Sequence, residues 1–317
     1  MKNILCLFTI FLLVSCANEK SEQITFELLP SPQDISVNSE MSTLNAGAFQ
    51  GAFSPQDNAL PIRYGVLKNM VKSETAEKAQ IHFNINAKVG QQAESYSLKI
   101  EGEKINIEAQ DEAGLFYAFV TLSQIIEDAQ GKLFPLLEIN DAPKIAFRPI
   151  QIDIKHHREK ESYYYELMDH LAQLKINGVI LEIEDKLQYK RRPEVGSDDA
   201  MTIDQWKAIS EYAQQRNINI SPLVQGLGHA SFILKHEKNF ALRDDPKSDW
   251  AFNPLDPKTY ELQFDLYLDA MEATPYGKYL HVGGDEVKTT GRNSGISALE
   301  LNIIWLNKVS AFAAEHN

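Results

Sequence analysis

From residue 147 onward, short apolar segments alternate with segments of helical period, and this alternation restricts the fold more than any other feature. The pattern predicts strands at 147–155, 178–185, 219–226 and 279–284, separated by helices at 162–176, 202–216, 257–272 and 297–315. Strands that alternate with helices pair in parallel, and near-continuous apolar strands are covered on both faces. We therefore predict an α/β fold whose second part is the first half of a (β/α)8 barrel.

The second part of the chain is shorter than a complete barrel, and this has two possible explanations. A complete barrel takes about 250 residues, but the chain has 317 residues in all and the first predicted strand starts at residue 147. Either the sequence is a fragment of a longer reading frame, or the fold is a smaller doubly wound sheet. Because an open half-barrel exposes strand edges and apolar surface, we favour the fragment.

The region before residue 147 has the signals of a smaller α/β domain. Residues 79–87 and 95–110 alternate apolar and polar side chains, with a hairpin turn at Gly102, and residues 111–129 have a helical apolar face. The turn-like segment "NDAPK" at 140–144 closes this region. We predict a small α/β domain at 29–143 and a partial barrel domain at 144–317.

The first residues carry an export signal. Lys2 precedes an apolar run at 4–14 that is too short to span a bilayer, and the run ends in Leu-Val-Ser-Cys. This pattern resembles the bacterial lipoprotein signal, which implies a signal peptide at 1–16, lipidation of Cys16 and a polar tether at 17–28. The two cysteines of the chain, Cys6 and Cys16, both lie in this segment, so the mature fold is expected to have no disulfide.

The composition restricts the partners. The net charge is −13 and no basic stripe is present, which argues against nucleic-acid binding. We expect an exported protein of the bacterial cell envelope, on its periplasmic or surface face, that contacts the membrane through its lipid anchor only.

Titratable side chains are concentrated where the predicted barrel strands end, the edge at which parallel α/β folds carry their functional groups. They are Asp153, Lys155, His156 and His157 after the first strand, Glu184 and Asp185 after the second, His229 after the third, and His281, Asp285 and Glu286 at the fourth. Carboxylates and histidines in this arrangement could bind a metal, act as a general acid–base pair, or simply belong to solvated loops. No metal-binding spacing is present and the histidines lie in different loops, so we expect neither metal nor cofactor.

The segment "YLHVGGDEV" at 279–287 is the most informative. Gly283 and Gly284 have no side chains, and glycines at the end of a strand often mark a bulge or the close approach of a ligand. Two acids, Asp285 and Glu286, follow them directly. In a partly apolar site, adjacent acids repel, so one stays ionised while the other keeps its proton to higher pH. Cleavage of a glycosidic bond needs this division between a proton donor and an anion.

Together, "HVGGDEV", "PLVQGLGHASFILKHEKNFALR" (222–243) and "GVILEIEDKLQY" (178–189) resemble the family 20 glycoside hydrolases, the β-N-acetylhexosaminidases, and most of all their hexosaminidase D branch. Residues 79–145 are similar to the family's non-catalytic α/β domain. The resemblance implies an exo-acting glycosidase for terminal N-acetylglucosamine or N-acetylgalactosamine on glycans or glycoconjugates. It also implies a retaining mechanism in which the substrate's 2-acetamido group is the nucleophile.

The resemblance assigns catalytic roles to the two acids. Glu286 matches the general acid, and Asp285 matches the residue that orients and polarises the acetamido group. His229 matches a histidine that helps to set the protonation of the general acid, together with an acid matched by Asp185.

Three further residues match motif positions with supporting roles. Asp153 lies on the first-strand motif, with a structural or sugar-contact role, and for His281 and Gly283 we favour packing. His156 stands where many members have the arginine that binds sugar hydroxyls, so hydroxyl recognition is unassigned.

The family's acetamido pocket uses aromatic residues from later strands, so we expect these 317 residues not to form a complete site. Two alternatives stay open. One is a non-catalytic glycan-binding lipoprotein of the envelope. The other is a metal-dependent barrel hydrolase built on His229, His281 and Glu286.

Overall fold

The computed structural model describes residues 26–45, 51–52, 73–89 and 92–316. The predicted signal peptide, Cys16 and residues 17–25 of the predicted tether lie outside the described residues. At the end of that tether, the backbone N–H of Glu27 donates to Asp128 at 2.8 Å and Leu28 is buried. In the described ranges, no helix combines the length and apolar character that crossing a bilayer requires.

The first sheet is built around the predicted hairpin. Its strands are β1 Asp34–Asn45, β2 Ile81–Ile85, β3 Tyr96–Glu101, β4 Lys104–Ala109 and β5 Leu133–Asp141. They lie in the order β1-β5-β3-β4-β2, and only β2 and β4 pair in parallel. The hairpin at Gly102, whose φ is +56°, is confirmed. The pattern did not single out β1 and β5, because β1 is mostly exposed and β5 contains Pro135.

The helix α1 Glu112–Ala129 packs on this sheet through contacts with β2, β3 and β4. The Asp111 carboxylate caps it by accepting the Gly114 N–H at 2.8 Å. A Cβ on Gly114 would lie 2.4 Å from the Ser95 carbonyl oxygen, so glycine allows the helix to approach β3 closely. The predicted apolar face is buried at Leu115, Phe116, Phe119 and Leu122 and half-buried at Ile126.

The second sheet is parallel and its strands follow chain order. It contains β6 Pro149–Asp153, β7 Gly178–Glu182, β8 Asn219–Gly226 and β9 His281–Gly283. The helices are α2 Glu161–Gln173, α3 Ile203–Gln214, the short α4 Ser231–Leu234, α5 Pro257–Ala273 and α6 Ala298–Glu315. A doubly wound sheet reverses its strand order at a switch point, and this sheet does not. The order is that of the first half of a (β/α)8 barrel.

The outer strands of this sheet differ from the prediction. β7 and β8 are buried along most of their length. β6 alternates between exposed and half-buried residues, and β9 has one exposed residue followed by two half-buried ones. The expectation that both faces of every strand are covered is therefore wrong for β6 and β9, because each lies at an edge of the described sheet. The strand predicted at 178–185 stops at Glu182, since residues 184–186 form a 3-10 turn.

A buried polar cluster joins the two sheets. The Lys175 ammonium donates to Asp141 Oδ2 at 2.8 Å and to the Tyr96 hydroxyl at 2.9 Å. Burial lowers the pKa of Lys175, and the Asp141 carboxylate opposes this effect. Arg148 pairs with Glu94 at 2.6 Å beside it. These bonds tie the end of β5 to the loop that leads into β7.

Candidate active site

Two glycines set the backbone between β9 and the acid pair. Gly283 has φ +69° and Gly284 has φ +95°, a region that favours glycine. A Cβ on Gly283 would lie 2.0 Å from Gln225 Oε1, and one on Gly284 would lie 2.9 Å from the ring of Trp305 on α6. Glycine at both positions therefore lets β9 lie against β8 and α6. The close approach inferred from "GG" is present, but to protein atoms.

Asp285 and Glu286 follow on this loop and lie beside His229. His229 Nε2 is 3.3 Å from Asp285 Oδ2 and 3.4 Å from Glu286 Oε2. Neither contact has hydrogen-bond geometry, so the buried Nε2 has no hydrogen-bond partner among the described residues. His229 and Glu286 both have φ +50°, which is uncommon for side chains other than glycine. The structure thus brings together the three residues that the sequence placed after two different strands.

The surroundings of the two acids differ from the prediction. Their side chains are 59% exposed for Asp285 and 76% exposed for Glu286. The partly apolar environment expected for the pair is not supplied by the described residues, because none of them shields the two carboxyl groups from solvent. The predicted separation of the two acidities therefore stays a prediction.

Trp250 also contributes to the site, and sequence analysis missed it. Its ring packs on the His229 ring with centroids 4.4 Å apart, and its Nε1–H donates to the Glu286 carbonyl oxygen at 3.4 Å. It is a single tryptophan in the polar segment "RDDPKSDW", and no periodicity distinguishes it from a surface residue.

A buried polar network joins the ends of β6, β7 and β8. The Glu182 carboxylate accepts hydrogen bonds from Gln151 and Gln225, each at 2.9 Å, and from Lys155 at 3.2 Å. Lys155 also pairs with Asp153 at 2.9 Å. Burial on its own would raise the pKa of Asp153, but hydrogen bonds from Lys155 outweigh it and the pKa is lowered. Asp153 is thus an ionised strand-end group that is 41% exposed. Glu182 was not predicted, because it lies within an apolar strand.

Glu184 and Asp185 lie in the 3-10 turn after β7. Glu184 is buried with φ +39°, and burial raises its pKa to about 8 although the Lys155 ammonium opposes the effect. Asp185 lies 3.1 Å from the Lys235 ammonium and 3.3 Å from that of Lys186. Among the described residues, the ion pairs of the Asp185 carboxylate are with these lysines, and its joint role with His229 stays a prediction.

His281 lies on the exposed side of β9. Its Nδ1 accepts the Gly283 N–H at 3.1 Å, a local bond that stabilises the turn before the acid pair. Across the ranges that the structure describes, no three His, Cys, Asp or Glu side chains are grouped as a metal site requires.

Comparisons with known proteins give one consistent family. The model of glycosyl hydrolase family 20, domain 2 matches residues 25–142, and that of the family's catalytic domain matches residues 146–300. Hexosaminidase D from Bos taurus is 30% identical over 145 residues, 45% of this chain and 42% of that protein. A beta-hexosaminidase from Vibrio furnissii is 23% identical over 61% of this chain and 37% of its own length.

A solved structure supports the fold. The crystal structure of a β-N-acetylhexosaminidase from Bacteroides fragilis superposes with a TM-score of 0.76 at 21% identity, covering 91% of this chain and 64% of that one. The chain spans about two fifths of the length of the curated relatives it matches.

Proposed function

Because this chain belongs to glycosyl hydrolase family 20, we propose that the protein is an exo-β-N-acetylhexosaminidase that removes terminal N-acetylglucosamine or N-acetylgalactosamine. The observation that carries the proposal is the pair Asp285 and Glu286 at the end of β9, with His229 Nε2 within 3.4 Å of both carboxylates. Two acids and a histidine at the same edge of the sheet can supply the proton donor and the anion that glycoside cleavage needs.

In the proposed reaction, the carbonyl oxygen of the substrate's acetamido group attacks the anomeric carbon as the glycosidic C–O bond breaks. Glu286 gives its proton to the departing oxygen. Asp285 accepts a hydrogen bond from the acetamido N–H and stabilises the positive charge of the oxazolinium intermediate. Water then attacks the anomeric carbon, the bond from that carbon to the acetamido oxygen breaks and restores the acetamido group, and the water proton goes to Glu286. The two displacements retain the configuration, and the enzyme returns to its first state.

Selectivity for the acetamido group tests this mechanism. The protein expressed from its complete reading frame should release 4-nitrophenol from the β-glycosides of N-acetylglucosamine or N-acetylgalactosamine, and not measurably from the β-glucoside, which lacks the internal nucleophile. Release is followed by absorbance. Equal turnover of the glucoside would contradict substrate assistance, and turnover of none of the three would contradict the activity.

We further propose that the protein is a lipid-anchored component of the bacterial cell envelope. The supporting observation is the sequence "LLVSC" at 12–16, in which a short apolar run ends at Cys16. Cys16→Ser should move the protein from the membrane fraction to the soluble fraction when cells are fractionated and probed by immunoblot. Membrane association that is unchanged in this variant would contradict the anchor.

A further inference from the structure

Trp250 belongs to a loop that is fastened to the residues following His229. The Ala230 N–H donates to the Trp250 carbonyl oxygen at 3.0 Å, and the Ser231 hydroxyl donates to Asp249 Oδ1 at 3.1 Å. The Trp250 N–H donates to the Ser248 hydroxyl at 3.2 Å. The backbone that carries the indole is therefore bonded directly to the backbone that carries the imidazole.

The indole contacts both halves of the acid–histidine arrangement. Its ring packs on His229 with centroids 4.4 Å apart and planes inclined by 54°. Its Nε1–H donates to the carbonyl oxygen of Glu286 at 3.4 Å. The Trp250 side chain thus contacts both the ring of His229, which follows β8, and the backbone of Glu286, which follows β9.

His229 depends on such packing for its position. Its Nε2 faces two carboxylates without a hydrogen bond to either, and its backbone is in the left-handed region. Because Nε2 makes no directional bond, groups packed against the ring help to set its distance from the two carboxylates. The described aromatic ring that packs against the imidazole, inclined by 54°, is that of Trp250.

We propose that Trp250 is a positioning residue for the acid pair. It keeps the His229 ring next to Asp285 and Glu286 and fixes the backbone of Glu286, without contacting the substrate. The kinetic consequence rests on the proposed function, whereas the effect on His229 does not. Trp250 is 41% exposed, so its position is not required by burial in the core.

Two substitutions separate the ring from its N–H group. Trp250→Leu removes both contacts, and Trp250→Phe keeps an aromatic face while it loses the donor. Since misplacing a catalytic group by about 1 Å can cost on the order of a hundredfold, we expect kcat to fall by about 10- to 100-fold in Trp250→Leu, with KM nearly unchanged. Trp250→Phe should recover most of this loss.

The matched control is Phe240→Leu. Phe240 is 43% exposed on the same stretch between β8 and α5 and stacks with Arg243, whose guanidinium carbon lies 3.8 Å from the ring centroid. It contacts neither His229 nor the acid pair in the described structure. Its variant should have the kcat of the wild type, and all three variants should have circular dichroism spectra like the wild type.

The direct readout is the NMR spectrum of the protein with isotope-labelled histidine, in which His229 is assigned from the resonance missing in His229→Asn. In the wild type, the His229 ring protons should show nuclear Overhauser contacts to the side-chain protons of Asp285 and Glu286, whose carboxylates lie 3.3 and 3.4 Å from Nε2. These contacts should be lost in Trp250→Leu, partly kept in Trp250→Phe and unchanged in Phe240→Leu. Contacts that persist unchanged in Trp250→Leu would overturn the proposal. If the wild type were inactive, the proposed function would fail, and these contacts would still decide the role of Trp250.

Discussion

Glu184 and Glu286 are both glutamates at strand ends, but their surroundings give them different chemistry. Glu286 is 76% exposed, whereas Glu184 is buried and its pKa is raised to about 8. The sequence identified Glu286, because adjacent acids after a glycine pair form a recognisable motif. It could not distinguish Glu184 from a solvated loop residue, because the burial of Glu184 comes from packing between elements that are distant in sequence.

The raised pKa of Glu184 predicts a pH dependence of stability. The groups near it are Lys155, which favours the ionised form, and Glu182, Asp153 and Asp185, which oppose it. Because the folded pKa is about 8 and the unfolded value is 4.5, the folded state keeps a proton that the unfolded chain releases. This contribution to stability is complete below pH 4.5 and is lost as the pH rises through 8.

The variant Glu184→Gln isolates this effect. We expect the melting temperature of the wild type to decrease from pH 5 to pH 9 more steeply than that of Glu184→Gln, since each unit of pKa difference corresponds to about 1.4 kcal/mol. Glu237→Gln, at an exposed position in the 3-10 helix Glu237–Leu242, is the control for the loss of one charge. Parallel melting curves against pH for the wild type and Glu184→Gln would contradict the prediction, because they would mean that Glu184 has the same pKa in the folded and unfolded states.

At the scale of elements, periodicity predicted most of the second sheet. The strand at 219–226 has the predicted bounds, and the helix predicted at 202–216 spans Ile203–Gln214, with a capping box formed by Thr202 and Gln205 at its start. β9 was predicted at 279–284 but has only three residues. At the end next to the acid pair the strand stops at Gly283, because Gly284 adopts a φ of +95° beside the ring of Trp305.

Contacts between elements were the part that the sequence could not supply. Trp250 is separated from His229 and from Glu286 by 21 and 36 positions, counted from their residue numbers, and its loop has no regular period. The pairing of β8 with β9 brings His229 to Glu286, and the hydrogen bond from the Ala230 N–H to the Trp250 carbonyl oxygen brings Trp250 to His229. The contact of Trp305 was likewise not predicted from the sequence. Its indole is buried, and its Nε1–H donates to Gln263 Oε1 at 2.9 Å, 42 positions away in the sequence.

For the whole molecule, the order of strands is the feature that connects fold and function. Sequential parallel strands place the ends of β6 to β9 along one edge, and the polar residues predicted there are found along it. The small domain is fastened to the other end through Lys175 and Asp141. The sequence predicted this division, since the change from hairpins to βα units is visible in its pattern.

The leaving-group dependence of kcat/KM tests most directly whether Glu286 is the proton donor and Asp285 acts on the acetamido group, as proposed. For Glu286→Gln, kcat/KM should fall by roughly 10²- to 10⁴-fold on a disaccharide of N-acetylglucosamine and far less on the 4-nitrophenyl glycoside, whose leaving group needs little protonation. Asp285→Asn should lower kcat/KM on both substrates. Equal losses on the two substrates in Glu286→Gln, or unchanged turnover of the disaccharide, would contradict the account.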